Sequence, residues 1–537
     1  MIRRDFVASL GLGSIMLAAS PSLLLGGCGA GSEGSGDSRD ILRVIHSNVL
    51  SSLDPIFTSA PGTREYGFLT FDQLVSVDNS YVPHPQMAEG WIVEDDGRSY
   101  VFTLRGGLKF HDGEPVRSSD CIASIKRWGA RDSFGQMLMK EIAAFDAIDD
   151  RKFRIRTKVP LPVLPAALGK STAAACLMMP ERMAKVDPGQ QITEAIGSGP
   201  FRFLKDEWVP GSKAAWARFE GYVPRKESPN GLAGGHVARM KRIEWAQIPD
   251  ASTAMAALQS GEQDFWPLPP ADLLPVMAAD PGITIGSRSS TDGVFMLQPN
   301  HQQPPFNNVA VRQALAMAID QVAMMKSVAG DRPGDAHALR SFFPKDSPYY
   351  SEIGSEVLAV ANVEKAKQAL AASGYKGEEV VLLTSSDGTL SSLGQIIEDL
   401  LTRMGMKITL VALDFASMIQ RRTNHDPVSK GGWSLFLTAW AGSDIIDPAV
   451  HPMLRGAGLE GYPGWCEDAT IERLRQQWVS APPAEQKAIA EQIQAEAFKV
   501  LPYIPLGSVT PVCAWRKNVS GVLRTPYAVY WNIGKSA

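Results

Sequence analysis

The residues of this 537-residue chain whose types could do chemistry are scattered rather than clustered. Its eight histidines contain no i,i+4 pair, the spacing that puts two imidazoles on one helix face for a metal. Cys121, Cys176, Cys466 and Cys513 stand far apart with no Cys-x-x-Cys, which argues against a zinc ribbon or a thioredoxin-like site. Their spacing leaves open whether any pair forms a disulfide. No Gly-x-Ser-x-Gly elbow, His-Glu-x-x-His or strand-borne Gly-x-Gly-x-x-Gly occurs. Gly169-Lys170-Ser171 has the end of a phosphate loop, but Leu164 stands where the first glycine belongs. The prolines of Leu161-Pro-Val-Leu-Pro165 also remove amides that would cradle phosphate. His111-Asp112 invites a metal reading, yet within Lys109-Phe-His-Asp-Gly113 it reads as a polar turn ending a strand. No catalytic residue, metal ligand or cofactor is assigned, and an enzyme is not expected.

The N-terminus reads as an export signal over residues 1–27. Arg3 and Arg4 precede an apolar run from Phe6 to Leu25, and Ile2-Arg-Arg-Asp-Phe-Val7 resembles a twin-arginine motif. Leu25-Gly-Gly-Cys28 is placed as a lipobox, with Cys28 the acylated residue. Residues 28–40, rich in Gly, Ser and acids, have nothing to bury and read as a flexible tether. Ordinary signal-peptidase cleavage is the competing reading. The remaining chain is too long for one simple core and implies two or three domains. Hydrophobic residues make up 45% and charged residues 20%, as in globular proteins, and the net charge of −4 without a Lys/Arg stripe argues against nucleic acid.

The elements that would position any site follow from periodicity. Ile41–Ile45 alternates as a strand. Trp91–Val93 and Tyr100–Leu104 flank Glu94-Asp-Asp-Gly97, an Asp-Gly hairpin turn. Lys152–Lys158 is another alternating strand. A helix from Asp250 to Ser260, stopped by Gly261, leads to a strand Asp264-Phe-Trp266. Asn307 or Asn308 caps a helix with Val311, Leu315, Ile319 and Val322 on one face. Val380–Thr384, a helix over 391–404 ended by Gly405, and Lys407–Val411 make a β–α–β unit. Trp433–Ala439 is an apolar strand and Ala484–Val500 an amphipathic helix.

Residues 71–128 read FDQLVSVDNSYVPHPQMAEGWIVEDDGRSYVFTLRGGLKFHDGEPVRSSDCIASIKRW. This run resembles the early block of the extracytoplasmic solute-binding proteins of family 5, which serve peptide and nickel ABC importers. Pro304-Pro-Phe306, Val311-Arg-Gln-Ala-Leu315 and Ala318-Ile-Asp320 match a second family pattern, so the resemblance spans about 41–535. It implies an α/β, periplasmic-binding-protein-like fold: two α/β lobes with a hinge and central cleft, plus an extra domain inserted in the N-terminal lobe. Domain I would comprise 41–60, 197–285 and 500–537, domain II 61–196, and domain III 286–499.

The resemblance also implies a site. Many peptide-binding members have a Trp and then an Asp four residues before a Pro, and that Asp binds the ligand's ammonium. Counted back from Pro448 the match is Asp444; counted from Trp440 it falls one residue late. A carboxylate in a closing cleft gives a charge-assisted bond of about 1.5–3 kcal/mol. The competing reading has Asp444 merely capping a turn. Ser443, Trp440 and Trp465 are further candidates for the pocket wall, with core packing as the alternative for both tryptophans. His46, Ser47 and Asn48 could face the cleft from the opposite lobe. No arginine lies near Trp440, so the group that receives a ligand carboxylate is unidentified. The expected protein is a monomeric component of an ABC importer, lipid-tethered or free in the periplasm or other extracytoplasmic space, passing a peptide or similar small solute to the permease. A nickel chelate, haem, opine or oligosaccharide is the alternative cargo, and an exported chaperone or sensor partner the alternative role.

Overall fold

A computed structural model describes residues 38–536 apart from 47, 288, 331 and 387. The export signal, Cys28 and most of the tether lie outside the described residues; Ser38–Asp40 form a short 3-10 turn that runs into the first strand.

Two mixed sheets carry the molecule. The first has the order Phe201–Phe203, Lys213–Arg218, Arg242–Ala246, Ile41–Ile45, Phe265–Trp266, Val512–Arg516, Ile283–Ser287. Ile41–Ile45 is central and parallel to both neighbours, and its alternation buries Leu42 and Val44 completely. The second runs Ala336–His337, Ile504–Val509, Gly293–Pro299, Leu435–Ala441, Glu379–Ser385, Lys407–Leu413. Val380 and Leu382 enter one core while Val381 and Leu383 enter another, which explains the unbroken apolar run: both faces of this strand are covered. A separate antiparallel sheet of Ala88–Glu94, Ser99–Leu104, Lys152–Thr157 and Ile142–Asp149 occupies the inserted stretch. Its Asp-Asp-Gly turn takes positive φ at Asp95, Asp96 and Gly97.

Most local expectations hold. The Ala251–Ser260 helix is capped by Asp250 and ended by Gly261 at φ 83°. Glu379–Ser385 and Lys407–Leu413 pair in parallel around the Gly388–Met404 helix. Two differ. The helix expected to run through Ile319 to Val322 breaks into Val309–Ala318 and Gln321–Ala329, because Asp320 accepts from the Ala323 amide and caps a new start. The chain also returns to the first sheet later than residue 500. Ile504–Val509 still pairs with Gly293–Pro299 in the second sheet, and the crossing comes between Val509 and Val512. The run Leu501-Pro-Tyr-Ile-Pro-Leu506 is apolar enough to be buried in either sheet, so composition alone could not assign it.

Cys121, Cys176 and Cys466 are buried thiols without disulfides, and Cys513 Sγ donates to the Gly286 carbonyl at 3.4 Å. Among the described residues no helix is long and apolar enough to cross a membrane.

Candidate ligand-binding cleft

Asp444 sits where the second sheet hands over to a turn. Leu435–Ala441 ends in Trp440, half-buried and edge-to-face with Tyr462 at 5.8 Å. The 3-10 turn Gly442–Ile445 follows. Gly442 is required there: a Cβ would lie 2.8 Å from Thr291 Cβ and 2.9 Å from the Asp292 carbonyl. The Gly442 amide donates to that carbonyl at 2.8 Å, and the Ser443 amide donates to Thr291 Oγ1 at 3.2 Å. The turn is thereby pinned to the segment that links the two sheets.

From the other side comes the Pro61–Thr70 helix. Pro61 starts it with a preset φ, and every residue from Gly62 to Thr70 is buried. Tyr66 packs it onto Phe203 and Trp216 of the first sheet. Its consecutive charged residues take different partners. Arg64 Nη1 donates to Asp444 Oδ1 at 2.8 Å and Oδ2 at 3.1 Å, an ion pair between groups 380 residues apart. The guanidinium also lies 4.8 Å from the centroid of the Tyr527 ring. Burial alone would pull Arg64 down, but the Asp444 carboxylate and its neighbours outweigh it and hold the group above its ordinary pKa. Glu65 Oε2 lies 2.7 Å from His46 Nε2.

The expected site residues therefore divide. Asp444 and Trp440 line one recess of about 250 Å³, with Phe57, Arg131 and Lys170. Ser443 lines an adjoining one of about 400 Å³, mainly apolar, with Tyr81, Phe134, Tyr349 and Trp478. Phe134, Lys170, Thr172 and Val450 border both. His46 is not brought to either. Its Nδ1 donates to the Asn48 carbonyl at 2.6 Å, and its ring stacks on Trp245 at 3.7 Å. Asn48, half-buried, lies with it beside Leu50 and Trp208. Ser47 lies outside the described residues. Trp465 is placed in the core instead of the pocket wall. It is 3% exposed, stacked on His425 at 3.9 Å and packed against Trp433 at 5.5 Å.

Arg64 is the residue that sequence reasoning missed. Its signal was two adjacent charges, Arg64-Glu65, inside a stretch otherwise apolar or small. Lys170, set aside as a false phosphate loop, is buried in an ion pair with Asp132. His111 is structural as read: Nε2 donates to the Gly199 carbonyl at 3.0 Å and Nδ1 accepts from the Gly197 amide at 3.2 Å. Among the described residues no group of three or more His, Cys, Asp or Glu is arranged to hold a metal.

Comparison with known proteins gives this geometry a family. Residues 82–458 match the family model described as bacterial extracellular solute-binding proteins, family 5. A Sinorhizobium fredii protein named "Probable peptide ABC transporter periplasmic-binding protein y4tO" is 34% identical over 540 residues, covering 99% of both chains. The dipeptide-binding protein of Pseudoalteromonas sp. SM9913, solved with Met-Leu, superposes with TM-score 0.77 at 19% identity, covering 92% of this chain and 100% of that one. NikZ of Campylobacter jejuni, solved with Ni(L-His), gives 0.74 at 19% identity, covering 93% and 100%. The two structures share the fold. The chain belongs to the bacterial extracellular solute-binding proteins of family 5.

Proposed function

We propose that this protein captures peptides with a free amino terminus in the cleft between its two sheets and delivers them to the permease of an ABC importer. The observation that carries the reading is Asp444, a buried carboxylate on the turn that ends a central strand, bordering a recess next to a half-buried tryptophan. The relative named for peptide transport and the fold shared with a dipeptide-binding protein support the same cargo. Lobes that both touch the ligand favour the closed form only through those shared contacts, which is the energetic content of such a switch. Anchoring through an acylated Cys28, and action as a monomer, complete the proposal.

A thermal-shift screen of the chain from residue 29 tests it. A peptide at about 100 times its Kd stabilises the native state by about 2.7 kcal/mol. Free peptides are expected to raise the melting temperature, N-acetylated ones are not, and Asp444→Ala removes the response. A response only to sugars, metal chelates or capped peptides contradicts the peptide assignment and returns Asp444 to a turn residue.

A further inference from the structure

Arg64 and Asp444 belong to different portions of the molecule. Residues 39–287 carry all but one strand of the first sheet and the whole inserted sheet, and residues 293–509 carry the second sheet. Among the described residues, the contact of Arg64 Nη1 with Asp444 Oδ1 and Oδ2, at 2.8 and 3.1 Å, is the only hydrogen bonding that joins these two portions. Beside it the portions enclose space together. Phe57 and Arg131 from one and Trp440 and Val450 from the other line the recess of about 250 Å³. Tyr81 and Phe134 share the recess of about 400 Å³ with Tyr349 and Trp478. Each charge is also fixed to its own side. Arg64 stands on a helix whose residues from Gly62 to Thr70 are buried, and its guanidinium overlies the Tyr527 ring at 4.8 Å. Asp444 stands on the turn pinned through Gly442 and Ser443 to Asp292 and Thr291. Drawing the two portions apart therefore breaks the pair and returns both charges to water.

We propose that the Arg64–Asp444 ion pair is a latch that holds the cleft shut before any ligand is bound. A ligand shifts such an equilibrium only by its own differential contacts with the open and closed forms. Here the chain supplies a bridging contact of its own, so part of the bias toward closure is built into the fold. The consequence for binding has two sides. Entry waits on an opening that breaks the pair, which makes the latch a gate. A ligand that leaves the pair in place then gains from it, because the apparent Kd varies inversely with the fraction of protein in the competent form. The latch does not rest on the ammonium-binding reading of Asp444 and is compatible with it, since an ionised carboxylate offers about four lone-pair sites.

Small-angle X-ray scattering of the ligand-free chain from residue 29 tests the latch. The wild-type chain is compared with the double variant Arg64→Met, Asp444→Asn. Removing both charges matters, because a single substitution leaves the other charge buried alone and opens the cleft for that reason. The double variant is expected to show a larger radius of gyration and a longer maximum dimension, with an unchanged far-ultraviolet circular dichroism spectrum. Equal scattering from the two chains overturns the latch: sides that stay together without the pair are held by something else, and sides already apart in the wild type are not held by the pair. Asp444→Asn alone, which preserves the side-chain shape, decides by the same comparison if the double variant does not fold. No ligand enters the measurement, so failure of the latch leaves the peptide reading standing, and failure of the peptide reading leaves the latch standing.

Discussion

At the scale of single residues, the two tryptophans offered by the sequence separate cleanly. Trp465 fills the core behind the second sheet with Trp433, Phe436 and Met418, so Trp465→Ala is expected to cost about 3–5 kcal/mol of stability and leave ligand preference among peptides unchanged. Trp440 borders the recess that holds Asp444, so Trp440→Ala is expected to weaken peptide binding about tenfold with a smaller loss of stability. Urea unfolding and titration calorimetry of the two variants distinguish them; the reverse pattern would contradict the placement of the pocket. The resemblance to the family pointed to Asp444, through a Trp, an Asp and a Pro within nine residues. It could not pair Arg64 with it, because 380 residues separate the two and the adjacent charges Arg64-Glu65 name no partner. The same limit explains His46, at a strand end suited to a cleft. Its partner Glu65 and its stacking on Trp245 are long-range contacts that hold it within its own lobe.

At the scale of elements, the Pro61–Thr70 helix does the positioning, since it carries Arg64 toward one neighbour and Glu65 toward another. Its approach is set by Gly62, where a Cβ would stand 2.5 Å from the Val49 carbonyl oxygen. Gly62→Ala must push the helix away from that backbone. The expected cost is about 1–3 kcal/mol, read by urea unfolding, together with weakened peptide binding as Arg64 shifts. Unchanged binding and stability would show that the helix is not held at this contact. Elements whose ends carry their own punctuation were legible: Asp250 and Gly261 bound one helix, and Gly405 ends another. The helix through Ile319 was misjudged because the apolar spacing continues across Asp320 while the backbone does not. Ile504–Val509 was misassigned because two sheets compete for one apolar segment, and only the tertiary pairing with Gly293–Pro299 decides between them.

At the scale of the whole molecule, the chain passes between the sheets after Ser287, to Gly293, and after Val509, to Val512. Asp292 ties the two passages, accepting from Ser508 Oγ and Thr510 Oγ1 at 2.9 Å each. The fold as a whole also stores a pH dependence. Burial lowers the pKa of His111 to about 4, of His301 to about 3 and of His451 to about 3, and lowers His236 as well. In the unfolded chain each titrates near 6.5. Below that value the unfolded state binds protons that the native state refuses, so their stabilising contribution is complete above about pH 6.5 and is lost as pH falls toward the native values. Each contributes a slope of up to about 1.4 kcal/mol per pH unit. Asp447, whose burial raises its pKa, acts in the opposite direction. Unfolding free energy measured in urea is therefore expected to fall steeply between about pH 6 and pH 5, and a flat profile there would contradict histidines held neutral in the native state.

The central claim, that Asp444 holds the amino terminus of a captured peptide, is tested most directly by one double-mutant cycle. Calorimetric affinities are measured for a free dipeptide and its N-acetylated form against the wild-type chain and Asp444→Asn. A charge-assisted contact predicts a coupling free energy of about 1.5–3 kcal/mol between the ammonium and Asp444. A coupling near zero, with both forms losing the same affinity on substitution, would contradict the account and leave Asp444 as the partner of Arg64 alone.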